Sequence, residues 1–166
     1  EDVTSEEKIT FEDIKGKNGS VVMFICNHCP YVVHLIDAMV QLANDYQVKG
    51  IGFVAISSND IVHYPQDGPE KMVEFAKERK FPFPYLFDES QDVARAYDAA
   101  CTPDFAVFNG EGLCVYRGEF DGSRPSLDIP VDGSSMREVL DLLVRGEEPS
   151  PNGQKPSVGC NIKWKA

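Results

Sequence analysis

The stretch FICNHCPYV, residues 24–32, holds two cysteines three positions apart, a histidine between them and a proline directly after. Before it runs the apolar segment SVVMFIC (20–26). After it Val32, Leu35, Ile36, Met39, Ala43 and Tyr46 recur at helical spacing, while His34, Asp37, Gln41, Asn44 and Asp45 fill the opposite stripe. Gly50 ends that helix in the manner of a C-terminal glycine. A second apolar run, IGFVAISS (51–58), follows at once. Both runs are too continuous for a half-exposed strand, so they read as central strands covered on both faces, joined by a crossover helix.

The same alternation continues to about residue 145, the pattern of an α/β sandwich. DGPEKMVEFAKERK (67–80) has Pro69 in its first turn and acids ahead of bases. It reads as a helix with Met72, Val73 and Ala76 facing inward. PYLF (84–87) is a short strand, and Ser90 is placed to cap a helix whose Val93, Ala94 and Tyr97 form the buried stripe. DFAVFN (104–109) and LCVYRG (113–118) flank Gly110-Glu111-Gly112, a hairpin signal. Ser135 and Glu138 have capping-box spacing ahead of a last helix closed by Gly146. Residues 119–133 form a long loop, and from Glu147 onward Pro149, Pro151 and Pro156 break any periodicity. One domain over residues 1–146 is expected, with an irregular tail, 147–166, docked on it through Ile162 and Trp164.

Chain length, 166 residues, suits one core. No apolar run approaches the ~20 residues that span a bilayer. With 16 basic against 27 acidic residues the net charge is −11, which repels nucleic acid and anionic membranes, so neither is an expected partner. Five cysteines are too few and too scattered for a disulfide-stapled scaffold, and an odd number leaves one over. A cytoplasmic protein is expected; the chain starts at Glu1 without a methionine, which is compatible with a removed leader.

The order strand, Cys-x-x-Cys-Pro, helix places Cys26 at the first turn of a helix and Cys29 one turn inside it. The helix N-terminus favours a thiolate at Cys26 by up to ~2 kcal/mol. One pKa unit is worth about 1.36 kcal/mol, so a thiol falls from ~8.5 to about 7 by this effect alone. Cys29, at i+3, can reach back to resolve a mixed disulfide at Cys26. Asn27 and His28 between the cysteines and Pro30 after them are placed to tune the pair. Either His28 stabilises the thiolate and makes the pair more oxidising, or it is solvated with little effect.

On these residues the chain resembles the thioredoxin superfamily, and within it the peroxiredoxin-like redoxins of the alkyl hydroperoxide reductase and thiol-specific antioxidant type that keep a Cys-x-x-Cys. The resemblance covers about residues 10 to 146 and rests on VVMFICNHCP, the βαβ unit after it, and CTPDFAVFN (101–109). It implies a thioredoxin fold, a central mixed sheet with helices on both faces. It also implies a cis Thr102-Pro103 bond, with those two residues shaping a substrate groove in which the Thr102 backbone is free to pair with a substrate strand. The implied activity is thiol-disulfide exchange, with Cys26 attacking and Cys29 resolving. Substrates would be protein or small-molecule disulfides and thiols, with an electron donor still to be identified and no cofactor.

The chain departs from its relatives at Ser20, where thioredoxins carry a buried aspartate. It departs also at Val22 and Cys26, or Gly19 and Met23, where peroxiredoxins place proline and threonine or serine ahead of the peroxidatic cysteine. A thiol peroxidase and a non-enzymatic redox-sensing module are the alternatives. A zinc half-site needs two further ligands, and Cys101, Cys114, Cys160, His34 and His63 offer no second spaced pair, so no metal is expected. His34 and His63 read as surface residues, and Cys114 as a small core hydrophobe. Cys101 and Cys160 are candidates for additional redox cysteines, against the simpler reading that both merely pack.

Overall fold

The computed structural model describes residues Glu1–Ala166. β1 (Gly19–Phe24) is the middle of a five-stranded sheet in the order β3-β2-β1-β5-β6. It pairs in parallel with β2 (Ile51–Ser57), which pairs in parallel with β3 (Tyr85–Phe87). On its other side it runs antiparallel to β5 (Asp104–Asn109), and β5 to β6 (Cys114–Gly118). β1 is buried along its whole length. Because side chains alternate along a strand, Val21 and Met23 enter one apolar cluster with Phe53, Ala55, Phe105 and Val107, while Val22 and Phe24 enter another with Val54 and Ile56. The mixed sheet with helices is the expected thioredoxin fold.

The first face is covered by α2 (Pro30–Gln47) and α5 (Ser134–Val144), with Met72, Phe75 and Ala76 of α3 (Pro69–Glu78) joining the same cluster. All six residues expected on the inner stripe of the crossover helix are buried. The second face has a thinner cover: Phe11 and Ile14 of α1 (Phe11–Ile14), Ala94 of α4 (Asp92–Ala96), Tyr97, and Ile162 from the C-terminal segment. None of the helices is long and apolar enough to cross a membrane.

Several local expectations are corrected. α2 begins at Pro30, with Cys29 as its N-cap, so Cys26 lies in the loop before the helix and not in its first turn. Gly133, not Ser135, precedes α5 as its cap; its N–H and that of Asp132 are taken by the buried Asp121 carboxylate, which fixes the end of the 119–133 loop. Ser90 does accept the Asp92 N–H at 3.2 Å, but the carboxylate of Asp88 takes the next two, Val93 and Ala94, and Val93 itself is exposed. Cys114 is exposed, because it starts the edge strand β6 just past the hairpin, beside a register shift at Val107/Phe108.

The C-terminal segment is less irregular than its prolines suggest. Cys160–Asn161 (β7) pairs antiparallel with Cys101–Thr102 (β4). Ile162 is buried, its N–H donating to the Ala100 carbonyl, while the Lys163 N–H donates to the Asn59 side-chain oxygen and the Lys163 carbonyl accepts from the Asp60 N–H. Trp164 stays largely exposed, its ring under the Arg95 guanidinium.

Candidate active site

The loop between β1 and α2 carries Cys26 and Cys29 inward; both are buried. Its shape is held by Asn27. The Asn27 N–H donates to Asp67 at 3.0 Å, its amide NH₂ to the Gln66 carbonyl at 3.0 Å, and its side-chain oxygen accepts from the Tyr85 hydroxyl at 2.8 Å. Asp67 closes the 3₁₀ turn Pro65–Asp67 and is fully buried. His28 Nδ1 lies 2.8 Å from its carboxylate, and Asn59 donates to it at 2.9 Å. A buried carboxylate tolerates such a site only when hydrogen-bonded this fully.

Opposite the loop stands Thr102, whose peptide bond to Pro103 is cis, as the resemblance implied. Thr102 Oγ1 lies 3.7 Å from Cys26 Sγ and its carbonyl oxygen 3.4 Å from Cys29 Sγ. The Thr102 backbone is not free. β7 occupies its edge, so the place expected to receive a substrate strand holds the chain's own C-terminal segment. That register sets Cys160 opposite Thr102 and brings its Sγ to 2.8 Å from Cys29 Sγ. Cys101, one residue away, points elsewhere, toward the carbonyls of Pro103 and Ser157.

The electrostatics differ from the sequence expectation as the helix boundary does. The hydrogen bond from the Cys26 thiol holds Cys29 down to about 4 against the opposing effect of burial, with Cys160 and the backbone N–H groups of Val32 and Cys160 adding to the lowering. The same bond raises Cys26, and burial and the Asp67 carboxylate raise it further. The positive end of α2 acts in the same sense, since its N-cap is Cys29. Both effects favour a negative charge on Cys29 over one on Cys26. Burial pushes Cys101 and Cys160 each up to about 11.

Cys26, His28 and Asp67 each bring one possible metal-ligand atom to within 4.8 Å of the others. A closed zinc site takes four ligands, and the Asp67 oxygens are already engaged by His28, Asn27 and Asn59. The set suits a hydrogen-bonded His–Asp pair beside a thiol better than a metal. Asp67 and Asn59 were not legible as site residues. They lie 39 and 31 positions beyond His28, with no spacing motif to link them. His34 is half-buried with its Nε2 unpaired, and His63 pairs with Asp60.

Residues 2–117 match the model of the AhpC/TSA family. The chain is 55% identical to an uncharacterised conserved protein of Geobacillus kaustophilus, whose crystal structure superposes with a TM-score of 0.96 over 99% of this chain and 86% of that one. A hypothetical protein from Sinorhizobium meliloti is 40% identical, with a TM-score of 0.95 over 99% and 89% of the two chains. A thiol:disulfide interchange protein of the thioredoxin family from Chlorobium tepidum shares the fold at 17% identity, with a TM-score of 0.66 over 86% and 90%. Nothing among curated proteins matches the chain.

Proposed function

The chain belongs to the AhpC/TSA family of thioredoxin-fold redoxins, and from that membership we propose that it is a thiol-disulfide oxidoreductase working through a Cys26–Cys29 dithiol. The observation that carries this reading is the pair itself. Two buried cysteines stand at the N-terminus of α2 against Thr102-Pro103, Cys26 Sγ 3.7 Å from the Thr102 hydroxyl and Cys29 Sγ 3.4 Å from its carbonyl oxygen.

Cys29 is covered by Cys160 and the Thr102 carbonyl, whereas Cys26 adjoins His28, whose side chain is one-third exposed. Cys26 is accordingly the sulfur that meets an incoming disulfide. As it attacks, its proton passes to the Cys29 sulfur to which it is already hydrogen-bonded; the substrate S–S bond breaks and one half leaves as thiolate. That thiolate takes the proton back from Cys29. Cys29 then attacks the Cys26 sulfur, the second half of the substrate leaves reduced, and the Cys26–Cys29 disulfide remains.

Dithiothreitol-dependent reduction of insulin disulfides tests the assignment. Cys26→Ser is expected to abolish turnover. Cys29→Ser is expected to leave a long-lived mixed disulfide at Cys26, visible by mass, because the attacker survives without its resolver. Full turnover in Cys29→Ser, or hydroperoxide consumption by the wild type far faster than that of a free thiol, would replace this reading with a peroxidase.

A further inference from the structure

Cys29 touches two sulfurs, not one. Besides Cys26, its Sγ lies 2.8 Å from that of Cys160, 131 residues away in sequence. A disulfide needs about 2.05 Å, so closing this bond asks for a movement of under about 1 Å. The position of Cys160 is also determined independently of that contact. β7 is registered on β4 with Cys160 opposite Thr102, and at the preceding residue a Cβ on Gly159 would lie 2.0 Å from the Thr102 carbonyl oxygen. Only glycine lets the C-terminal backbone approach the Thr102-Pro103 loop this closely. On the other side Ile162 is buried in the second apolar cluster and Lys163 is bonded to Asn59 and Asp60, so the segment is fastened on both flanks of the cysteine.

We propose that Cys160 is a third redox thiol, which takes over the disulfide from the Cys26–Cys29 pair and ends bonded to Cys29. This rests on the dithiol reading above and extends it. The Cys160 sulfur attacks Cys29 Sγ of the oxidised pair. The Cys26–Cys29 bond breaks, the Cys29–Cys160 bond forms, and the departing Cys26 sulfur takes the proton that Cys160 gives up. No external oxidant enters: the number of disulfides is unchanged, Cys26 falling from disulfide to thiol by one electron while Cys160 rises from thiol to disulfide by one, with Cys29 as the shared partner. Cys26 is thereby freed as a thiol while the C-terminal segment becomes covalently tied to the N-cap of α2, across the edge of Thr102.

Lys/Arg-specific cleavage distinguishes the two bridges, because Cys26 and Cys29 fall on one peptide, residues 18–49, and Cys160 on another. The purified full chain is oxidised with oxidised glutathione, quenched in acid and mapped by mass. Wild type is expected to yield the 18–49 peptide linked to the Cys160 peptide. Cys26→Ser is expected to form that link through Cys29, and Cys160→Ser to form only the internal Cys26–Cys29 bridge. Wild type with only the internal bridge overturns the proposal and leaves the dithiol reading intact, as does Cys26→Ser with glutathione retained on Cys29. If Cys160→Ser forms no internal bridge, it is the dithiol reading that falls. A link in wild type that survives in Cys29→Ser would place the bond on Cys26 and overturn the Cys29–Cys160 assignment.

Discussion

The hydrogen bond between the Cys26 and Cys29 sulfurs lowers Cys29 and raises Cys26, and burial and the fully buried Asp67 carboxylate raise Cys26 further. In the reduced protein, thiolate absorbance in the far ultraviolet is expected to persist through mildly acidic pH and to disappear only as pH falls through about 4, and Cys29→Ser should remove it. The linkage has a defined sign. Cys29 is depressed in the folded state, so its contribution to stability is full above the unfolded thiol value near ~8.5 and is lost as pH falls through about 4. Cys26 is raised, so above the unfolded value it acts the other way. Unfolding of the reduced wild type, referenced to Cys29→Ser, should therefore show an advantage that grows from acid toward neutral pH; an advantage flat with pH would contradict the assignment. Asp67→Asn keeps the hydrogen-bonding shape and deletes the charge. Alkylation of Cys26 at a fixed neutral pH should then accelerate, by roughly tenfold if about one pKa unit is recovered. A slower rate would show that the Asp67–His28 pair withdraws the Cys26 proton and does not oppose its loss.

At the scale of elements, the short pairing of β4 with β7 closes the edge that thioredoxin-like resemblance leaves for a substrate. Two residue pairs hold it, so its stability comes from Ile162 and the bonds to Asn59, Gln91 and Asp60 more than from the ladder. Gly159→Val sets a branched side chain against the Thr102 carbonyl and should lift β7 from β4. Oxidation should then give the Cys26–Cys29 bridge without any link to Cys160, together with faster hydrogen exchange at Cys160–Ile162. An unchanged exchange pattern would show that the close approach is not what fixes the strand. A second close approach lies between β2 and α1, where a Cβ on Gly52 would fall 1.7 Å from the Ile14 carbonyl. Gly52→Ala should lower stability by about 1–3 kcal/mol, the usual range for overpacking, read from denaturant midpoints.

Across the whole molecule the two faces of the sheet are unequally protected. The larger cluster holds α2, α3 and α5, while the smaller relies on α1, α4 and the C-terminal segment. Removing residues 147–166 takes Ile162 from the smaller cluster and uncovers both the Thr102 edge and Cys29. The shortened chain should unfold at lower temperature yet reduce insulin faster per folded molecule. Ile162→Ala should shift both in the same directions by smaller amounts. If both chains kept wild-type insulin reduction, the segment would not stand in the path of a protein substrate.

What the sequence by itself determined is whatever repeats or sits at short range. Continuous apolar runs made β1 and β2 doubly buried, the 3.6-residue stripe from Val32 to Tyr46 made α2, and Cys26, Cys29 and Pro30 marked the candidate site because their i, i+3 spacing is local chemistry. The boundary of α2 was less legible. Pro30 suits a first helical position, and the loop bonds of Asn27 to Asp67 and Gln66 keep Cys26 out of the helix, which spacing alone does not reveal. Only the tertiary structure decided where the charge rests and what covers it. Asp67 reaches Asn27 and His28 across 40 and 39 positions, and Cys160 reaches Cys29 across 131. Such contacts come from strand order and from the packing of a segment without periodicity. A hydrophobic pattern says which face of an element is buried, and not which distant side chain will lie against it.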